Sequence, residues 1–255
     1  MSVVEFEKEE GLGLITLNRP EARNAVNGEV ARGLEAALDE LEEDPGLWAG
    51  ILTGNGKAFC AGADLKEIAA GRGGELSTKR GGFGGIVRRE RIKPLIAAIT
   101  GSALAGGTEV ALACDLIVCA SDTQFGLPEV KRSLAAGAGG LFRLPRALGS
   151  AVALEAIMTG DPIAAERAYQ LGMVNLVVQA DQVMAEARKL AARINANAPL
   201  AVQASRGVAV RALDDDDDDL WRASGKAMAS LAHTEDYKEG PRAFIEKRPP
   251  VWKGR

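Results

Sequence analysis

Short apolar runs of strand length alternate with amphipathic stretches of helix length through most of this chain, and glycines mark many of the changeovers. Residues 14–17, Leu-Ile-Thr-Leu, read as a strand stopped by Asn18-Arg19-Pro20. Residues 50–53, 95–100, 116–120 and 174–178 read as further strands. Residues 29–43 carry Val30, Leu34, Ala37, Leu38 and Leu41 at helical spacing, and Pro45-Gly46 ends the pattern. Residues 105–114 read as helix. So do residues 151–158, 164–171, 183–194 and 200–212 in the second half, with Pro199 suited to a first helical position. Strands alternating with helices predict an α/β fold.

Composition narrows the function. With 255 residues the chain makes one large domain or two small ones. Acids outnumber bases, 35 to 31, for a net charge of −4, which argues against a general nucleic-acid binder. The three cysteines, Cys60, Cys114 and Cys119, are sparse and odd in number, which fits a reducing compartment and no disulfide framework. Cys60 reads as a small loop filler, and Cys114 and Cys119 as core residues. No basic-then-apolar leader and no apolar run of about 18 residues is present, so the expectation is a cytoplasmic protein with no membrane span. The one histidine, His233, lies near the C-terminus and reads as structural or surface. Without a G-x-S-x-G elbow or a Cys/His cluster, neither a serine triad nor a zinc site is expected. The nucleotide motifs G-x-x-x-x-G-K-[ST] and G-x-G-x-x-G are missing too.

Two stretches have biased composition. Residues 214–219 are consecutive aspartates. They read as a solvated loop whose last member caps a helix starting near Leu220, with a metal or partner site as the alternative. Residues 71–85 hold two Arg-Gly-Gly triplets, followed by Arg88, Arg89, Arg91 and Lys93. They read as a mobile loop leading into a helix, with RNA contact as the alternative.

Two glycine-rich elements run from strand to loop: Lys57-Ala58-Phe59-Cys60-Ala61-Gly62-Ala63-Asp64-Leu65, and Gly101-Ser102-Ala103-Leu104-Ala105-Gly106-Gly107-Thr108-Glu109. Small residues there either let backbone approach a ligand or pack tightly against neighbours. Two N–H groups aimed at one point would form an oxyanion hole. Glu109 enters an otherwise apolar helix one turn after Gly106, and Glu129 stands in Phe125-Gly126-Leu127-Pro128-Glu129-Val130. Each is either a surface residue or a functional acid. Two acids in a partly dry pocket have the shifted pKa values that acid–base work needs.

These residues resemble the crotonase (enoyl-CoA hydratase/isomerase) superfamily. The resemblance runs from Asn18-Arg19-Pro20-Glu21-x-x-Asn24-Ala25 to Phe244-Ile245-Glu246-Lys247-Arg248. Between them, in order, come Ala58-Phe59-x-Ala61-Gly62-Ala63-Asp64-Leu65, Gly106-Gly107-x-Glu109, Phe125-Gly126-x-Pro128-Glu129 and Gly137-Ala138-Gly139-Gly140. The resemblance implies a spiral of ββα units over residues 1–195. It also implies a C-terminal helical region, 196–255, that drives assembly into a homotrimer or a dimer of trimers.

It implies an acyl-CoA substrate, with coenzyme A belonging to the substrate, and neither metal nor cofactor. Ala63 and Gly106 match the oxyanion-hole positions. Glu109 and Glu129 match the catalytic acids, with Glu109 activating water for C3 and Glu129 exchanging the proton at C2. Gly137 would help hold the water. Ala61, Asp64, Leu65, Lys66 and Phe244 match CoA-binding positions, as does Lys247, which would reach from a neighbouring subunit. The expected reaction is reversible syn addition of water to a 2-enoyl-CoA. The alternatives are carnitinyl-CoA-type dehydration, isomerisation, hydration of a steroid or aromatic enoyl-CoA, and a non-catalytic or RNA-binding relative. The sequence departs from the family pattern at Ala105, where a glycine is common, at Ala136 in place of proline, and at Leu141-Phe142-Arg143 in place of Thr-Gln-Arg. These departures leave the acyl preference open.

Overall fold

Along the chain the computed structural model, which describes residues 2–255, runs β1 (Val4–Glu9), β2 (Gly11–Leu17), α1 (Gly28–Glu43), β3 (Leu47–Gly54), β4 (Ala58–Cys60), α2 (Leu65–Ala69), β5 (Ser77–Thr78), β6 (Gly82–Phe83), β7 (Leu95–Ile99), β8 (Ser102–Leu104), α3 (Gly106–Ala113), β9 (Leu116–Ala120), β10 (Gln124–Gly126), α4 (Gly140–Leu148), α5 (Ser150–Thr159), β11 (Ile163–Ala164), α6 (Ala165–Gln170), β12 (Leu176–Val178), α7 (Val183–Asn195), α8 (Pro199–Ala209), α9 (Asp217–Leu231) and α10 (Glu235–Glu246). The expected strands and helices are present, with ends displaced by a few residues.

Two sheets organise the molecule. The larger has the order β1-β2-β3-β7-β9-β12 and the smaller β11-β10-β8-β4. The chain visits them alternately. β3 in the large sheet is followed by β4 in the small one and then α2. β7 and β8 precede α3, and β9 and β10 precede α4. Each turn is therefore strand, strand, helix, and successive turns stack by parallel pairing within both sheets.

The large sheet is covered on both faces. Ile51, Ile96, Ala98 and Val118 cluster with Val183, Ala187 and Ala191 of α7. The alternate residues Leu52, Leu95, Ala97 and Ile117 cluster with Val30, Leu34, Leu38 and Leu41 of α1. Two-sided burial is why β7 reads as a continuous apolar run, Leu-Ile-Ala-Ala-Ile, every residue of it buried. Truncating one of these side chains, such as the fully buried Leu38, to alanine costs about 2–5 kcal/mol.

One strand escaped the sequence reading, and two local readings are corrected. β1, Val-Glu-Phe-Glu-Lys-Glu, is a strand although it has no apolar run. It pairs antiparallel with β2 from Val4↔Leu17 to Glu9↔Leu12 and is the charged edge of its sheet. The cap of α9 is Asp216, whose side chain accepts from the Asp219 N–H at 2.8 Å, so the last three aspartates form the first helical turn, where the dipole favours them. Residues 71–85 contain a 3₁₀ turn (Gly73–Leu76) and the β5/β6 hairpin, and no helix follows before β7. Their arginines are paired within the chain: Arg72 with Glu67, Arg80 and Arg89 with Asp39, and beyond them Arg91 with Asp115. No helix among the described residues is long and apolar enough to cross a membrane.

Candidate active site

Three neighbouring strands of the small sheet, β4, β8 and β10, run parallel. Their C-terminal ends therefore open on one edge, the edge where open α/β sheets bind ligands. β4 leads into Ala61-Gly62-Ala63-Asp64, β8 into Ala105-Gly106, and β10 into Leu127-Pro128-Glu129. Three motifs far apart in sequence meet here because parallel register aligns their strands.

The first loop is held by the Asn-Arg-Pro segment. Asn24 is fully buried in left-handed backbone; its amide donates to the Asn55 and Ala58 carbonyls, and its oxygen accepts from the Arg19 N–H. The Ala61 N–H donates to the Arg23 carbonyl at 3.0 Å, the Val26 N–H to the Gly62 carbonyl at 2.7 Å, and the Asp64 N–H to the Val26 carbonyl at 2.9 Å. Residues 61–64 thus lie along residues 23–26 as a short parallel bridge. That bridge uses the Gly62 carbonyl and the Asp64 N–H, so the Ala63 N–H projects to the opposite side.

Gly106 stands close by. A Cβ built on Gly62, whose φ is +90°, would come 2.8 Å from the Gly106 nitrogen and 2.8 Å from the Ala105 methyl. Gly106 opens α3, so its N–H lacks an intrahelical acceptor and carries the positive end of the helix dipole. Space around it is closed by the Phe83 ring, which a Cβ on Gly106 would strike, and by the Cys60 carbonyl, which a Cβ on Gly107 would strike. Gly62, the residue before Ala63, and Gly106 therefore lie against each other beside the Phe83 ring. Ala105, where the family pattern has glycine, holds φ 53° and ψ −128°, a backbone conformation proper to glycine.

Glu109 is buried at 3% exposure in the first turns of α3. Its Oε1 accepts from the Ala138 N–H at 2.7 Å and the Gly140 N–H at 2.9 Å. Gly140 sits tightly, since a Cβ there would meet a Leu127 methyl at 2.9 Å and the Glu109 Cγ at 3.1 Å and would push against the acid's own side chain. Burial pushes the Glu109 carboxyl above the usual range, and the two amides and the Arg143 guanidinium oppose that shift. Glu129, in the 3₁₀ turn Pro128–Arg132, has a buried Oε2 with no hydrogen-bond partner among the described residues. Burial raises its pKa, its own backbone N–H and Arg132 oppose the rise, and the Glu109 carboxylate adds to it. Two acids whose pKa values burial raises, with the charge of Glu109 acting on Glu129, suit proton exchange at a carbon acid.

The remaining predicted residues divide. Asp64 is buried and engaged within the chain: one oxygen accepts from Arg19 at 2.7 Å and the other from the Lys66 N–H, capping α2. Leu65 and Lys66 are exposed on α2, and Ala61 is half-buried beside them. The Gly137 N–H donates to the Ala135 carbonyl at 2.8 Å in an exposed turn. Phe244 and Lys247 lie at the end of α10, with the Phe244 ring 85% exposed. No hydrogen bond or ion pair among the described residues joins that helix to the elements above. Cys60 belongs to β4 rather than to a loop, and burial pushes its thiol up to about 11. Cys119 is buried and Cys114 half-buried. Asn24, Phe83 and Arg143 were given no role from sequence, although Asn24 stands inside a quoted motif and Arg143 inside the Leu141-Phe142-Arg143 departure.

Comparison with known proteins agrees with this geometry. The family model described as Enoyl-CoA hydratase/isomerase matches residues 7–255. Carnitinyl-CoA dehydratase of Salmonella typhimurium is 42% identical over 247 residues, 94% of each chain. The crystal structure of an enoyl-CoA hydratase from Mycobacterium marinum is 46% identical and superposes over 100% of both chains with a TM-score of 0.96. That of a carnitinyl-CoA hydratase from Mycobacterium avium is 45% identical over the full length of both, with a TM-score of 0.78. The stacked strand–strand–helix turns are the crotonase fold, and the chain belongs to the enoyl-CoA hydratase/isomerase family.

Proposed function

We propose that the protein catalyses reversible syn addition of water to a 2-enoyl-CoA thioester, giving a 3-hydroxyacyl-CoA. The Ala63 and Gly106 N–H groups bind the thioester oxygen. Negative charge grows there as C3 is attacked, and fixed donors in a recess closed by Phe83 stabilise it without reorganising; one such donor is worth about 3 kcal/mol. Glu109, held by two amides, takes a proton from water as the water oxygen bonds to C3. Glu129 delivers a proton to C2. The sum is one water added across the double bond. Coenzyme A lies along Ala61, Asp64, Leu65 and Lys66, with Asp64 contributing through the loop it braces. Phe244 and Lys247 reach CoA from a second copy in a homotrimer or a pair of trimers. No further cofactor takes part.

The observation that carries this reading is the buried, unpartnered Oε2 of Glu129 in the field of the buried Glu109. Isomerisation needs one acid, whereas water addition uses two. The test is loss of near-ultraviolet enoyl-thioester absorbance with crotonyl-CoA for wild type, Glu109→Gln and Glu129→Gln. Each variant is expected to lose at least ~100-fold in kcat. Absence of wild-type turnover while CoA thioesters still bind would overturn the short-chain hydratase reading.

A second reading, carnitinyl-CoA dehydration, is favoured by the 42% identity to Salmonella carnitinyl-CoA dehydratase. It uses the same acids and recess. Comparing kcat/KM for crotonyl-CoA and for a trimethylammonium-bearing enoyl-CoA separates the two.

A further inference from the structure

Arg143 carries a half-buried guanidinium that this chemistry does not use. It projects from the first turn of α4 and makes no ion pair among the described residues. Nη2 donates to the Val87 carbonyl at 2.6 Å and Nη1 to the Ala138 carbonyl at 3.3 Å. Both acceptors belong to segments that build the site. The Ala138 peptide offers its N–H to Glu109 Oε1 at 2.7 Å, on the other side of the same residue. Val87 closes a turn onto the Phe83 carbonyl, and the Phe83 ring is the wall that a Cβ on Gly106 would strike. One planar fork therefore spans the loop that holds the acid and the segment that closes the oxyanion recess, which a point charge on a flexible stem cannot do as well.

We propose that Arg143 is the positioning residue of this site: by gripping the Ala138 and Val87 carbonyls together, it keeps the 138–140 amides on Glu109 and the Phe83 ring against Gly106. The catalytic part of this claim rests on the hydratase reading above. The charged neighbours are few. Glu109 faces Arg143 from α3, and its charge acts in turn on the Glu129 carboxyl. Arg132 acts on Glu129, and Arg146, Arg91 and Asp214 act on Arg143. Removing the Arg143 cation leaves Glu109 harder to ionise, so the acid limb of kcat against pH moves to higher pH.

The experiment compares Arg143→Met, Arg143→Lys and Arg146→Met with wild type, by steady-state kinetics on crotonyl-CoA across pH and by hydrogen exchange of peptides covering residues 136–142. Arg143→Met is expected to lose about 30–100-fold in kcat with KM within threefold, to shift the acid limb upward, and to exchange faster at 138–140. Arg143→Lys keeps the limb and recovers only part of kcat. Arg146→Met, which removes a charge from the same helix without touching either carbonyl, leaves kcat, limb and exchange unchanged. Wild-type exchange in folded Arg143→Met overturns the proposal whatever the activity; so does kcat within threefold of wild type with an unmoved limb. If Arg143→Met does not fold, Arg143→Lys decides by the same exchange and kcat criteria. If wild type does not turn over enoyl-CoA, the hydratase reading falls, and the exchange measurement still judges the clamp.

Discussion

Replacing Ala105 by glycine should make this protein more stable. Glycine for alanine at a helix start ordinarily gains nothing, because it frees the unfolded chain by about 0.4–1 kcal/mol. Here the native backbone reverses the sign. Ala105 sits at φ 53° and ψ −128° between β8 and α3. Its N–H donates to the Gly126 carbonyl, and its carbonyl accepts from the N–H groups of Thr108 and Glu109. Those bonds force the conformation, and an L-residue with a Cβ is strained there by about 1–3 kcal/mol. The half-buried methyl returns at most about 0.8 kcal/mol through burial. The relief is expected to win by about 1 kcal/mol, a rise in Tm of ~2–4 °C for a chain of this size. Scanning calorimetry of wild type and Ala105→Gly at matched protein concentration, without ligand, measures it. A fall in Tm, or no change, would refute the argument that this turn stores strain. The same comparison should find the Gly106 N–H still in place, with thioester affinity within a few-fold of wild type.

Other consequences are equally specific. Gly62→Ala puts a Cβ 2.8 Å from the Gly106 nitrogen at a φ of +90°, so enoyl-CoA turnover should fall more than 100-fold in protein that circular dichroism shows to be folded; activity within tenfold of wild type would contradict the recess. Glu129→Gln should raise Tm, and the gain should grow with pH. The raised pKa of Glu129 means the folded state favours the neutral acid, so the wild-type penalty appears as pH climbs through that value; a gain that shrinks with rising pH would contradict the buried, unpartnered Oε2. Asp115 bridges Arg91 and Arg206 at 3.1 and 2.7 Å, joining α8 to the sheet. Asp115→Asn should cost about 3–5 kcal/mol in chemical denaturation because two guanidiniums lose their counter-charge. Its lowered pKa makes the wild-type contribution present above the ordinary carboxylate range and lost as pH falls through it.

Local physics made most of the elements legible in the sequence. Val30, Leu34, Leu38 and Leu41 mark a helix because 3.6-residue spacing puts them on one face, and Leu95–Ile99 marks a strand because both of its faces are covered. The glycine-rich loops and both acids were visible as residue types in order, and the resemblance they carry holds along the chain. Charge patterning deceived the reading at residues 71–91. An arginine-rich string looks free in one dimension, yet α1 presents Asp39 to Arg80 and Arg89, and Asp115 meets Arg91.

Tertiary structure alone decided how the pieces meet. Parallel register of β4, β8 and β10 brings Ala63, Gly106 and Glu129 to one edge from positions 43 and 23 residues apart. Closure of the 136–140 loop, through the Ala138 and Gly140 N–H groups, makes Glu109 a buried acid rather than an exposed one. The conformation of Ala105 is dictated by bonds to Gly126, Thr108 and Glu109 that its own sequence neighbourhood does not announce. Arg143 was visible only as the last residue of the Leu141-Phe142-Arg143 departure, and which carbonyls it grips depends on segments 56 and 5 residues away. Propensity and periodicity act over a few residues and can be read from one strand of text. Convergence, burial and pairing depend on distances that exist only after the chain has folded.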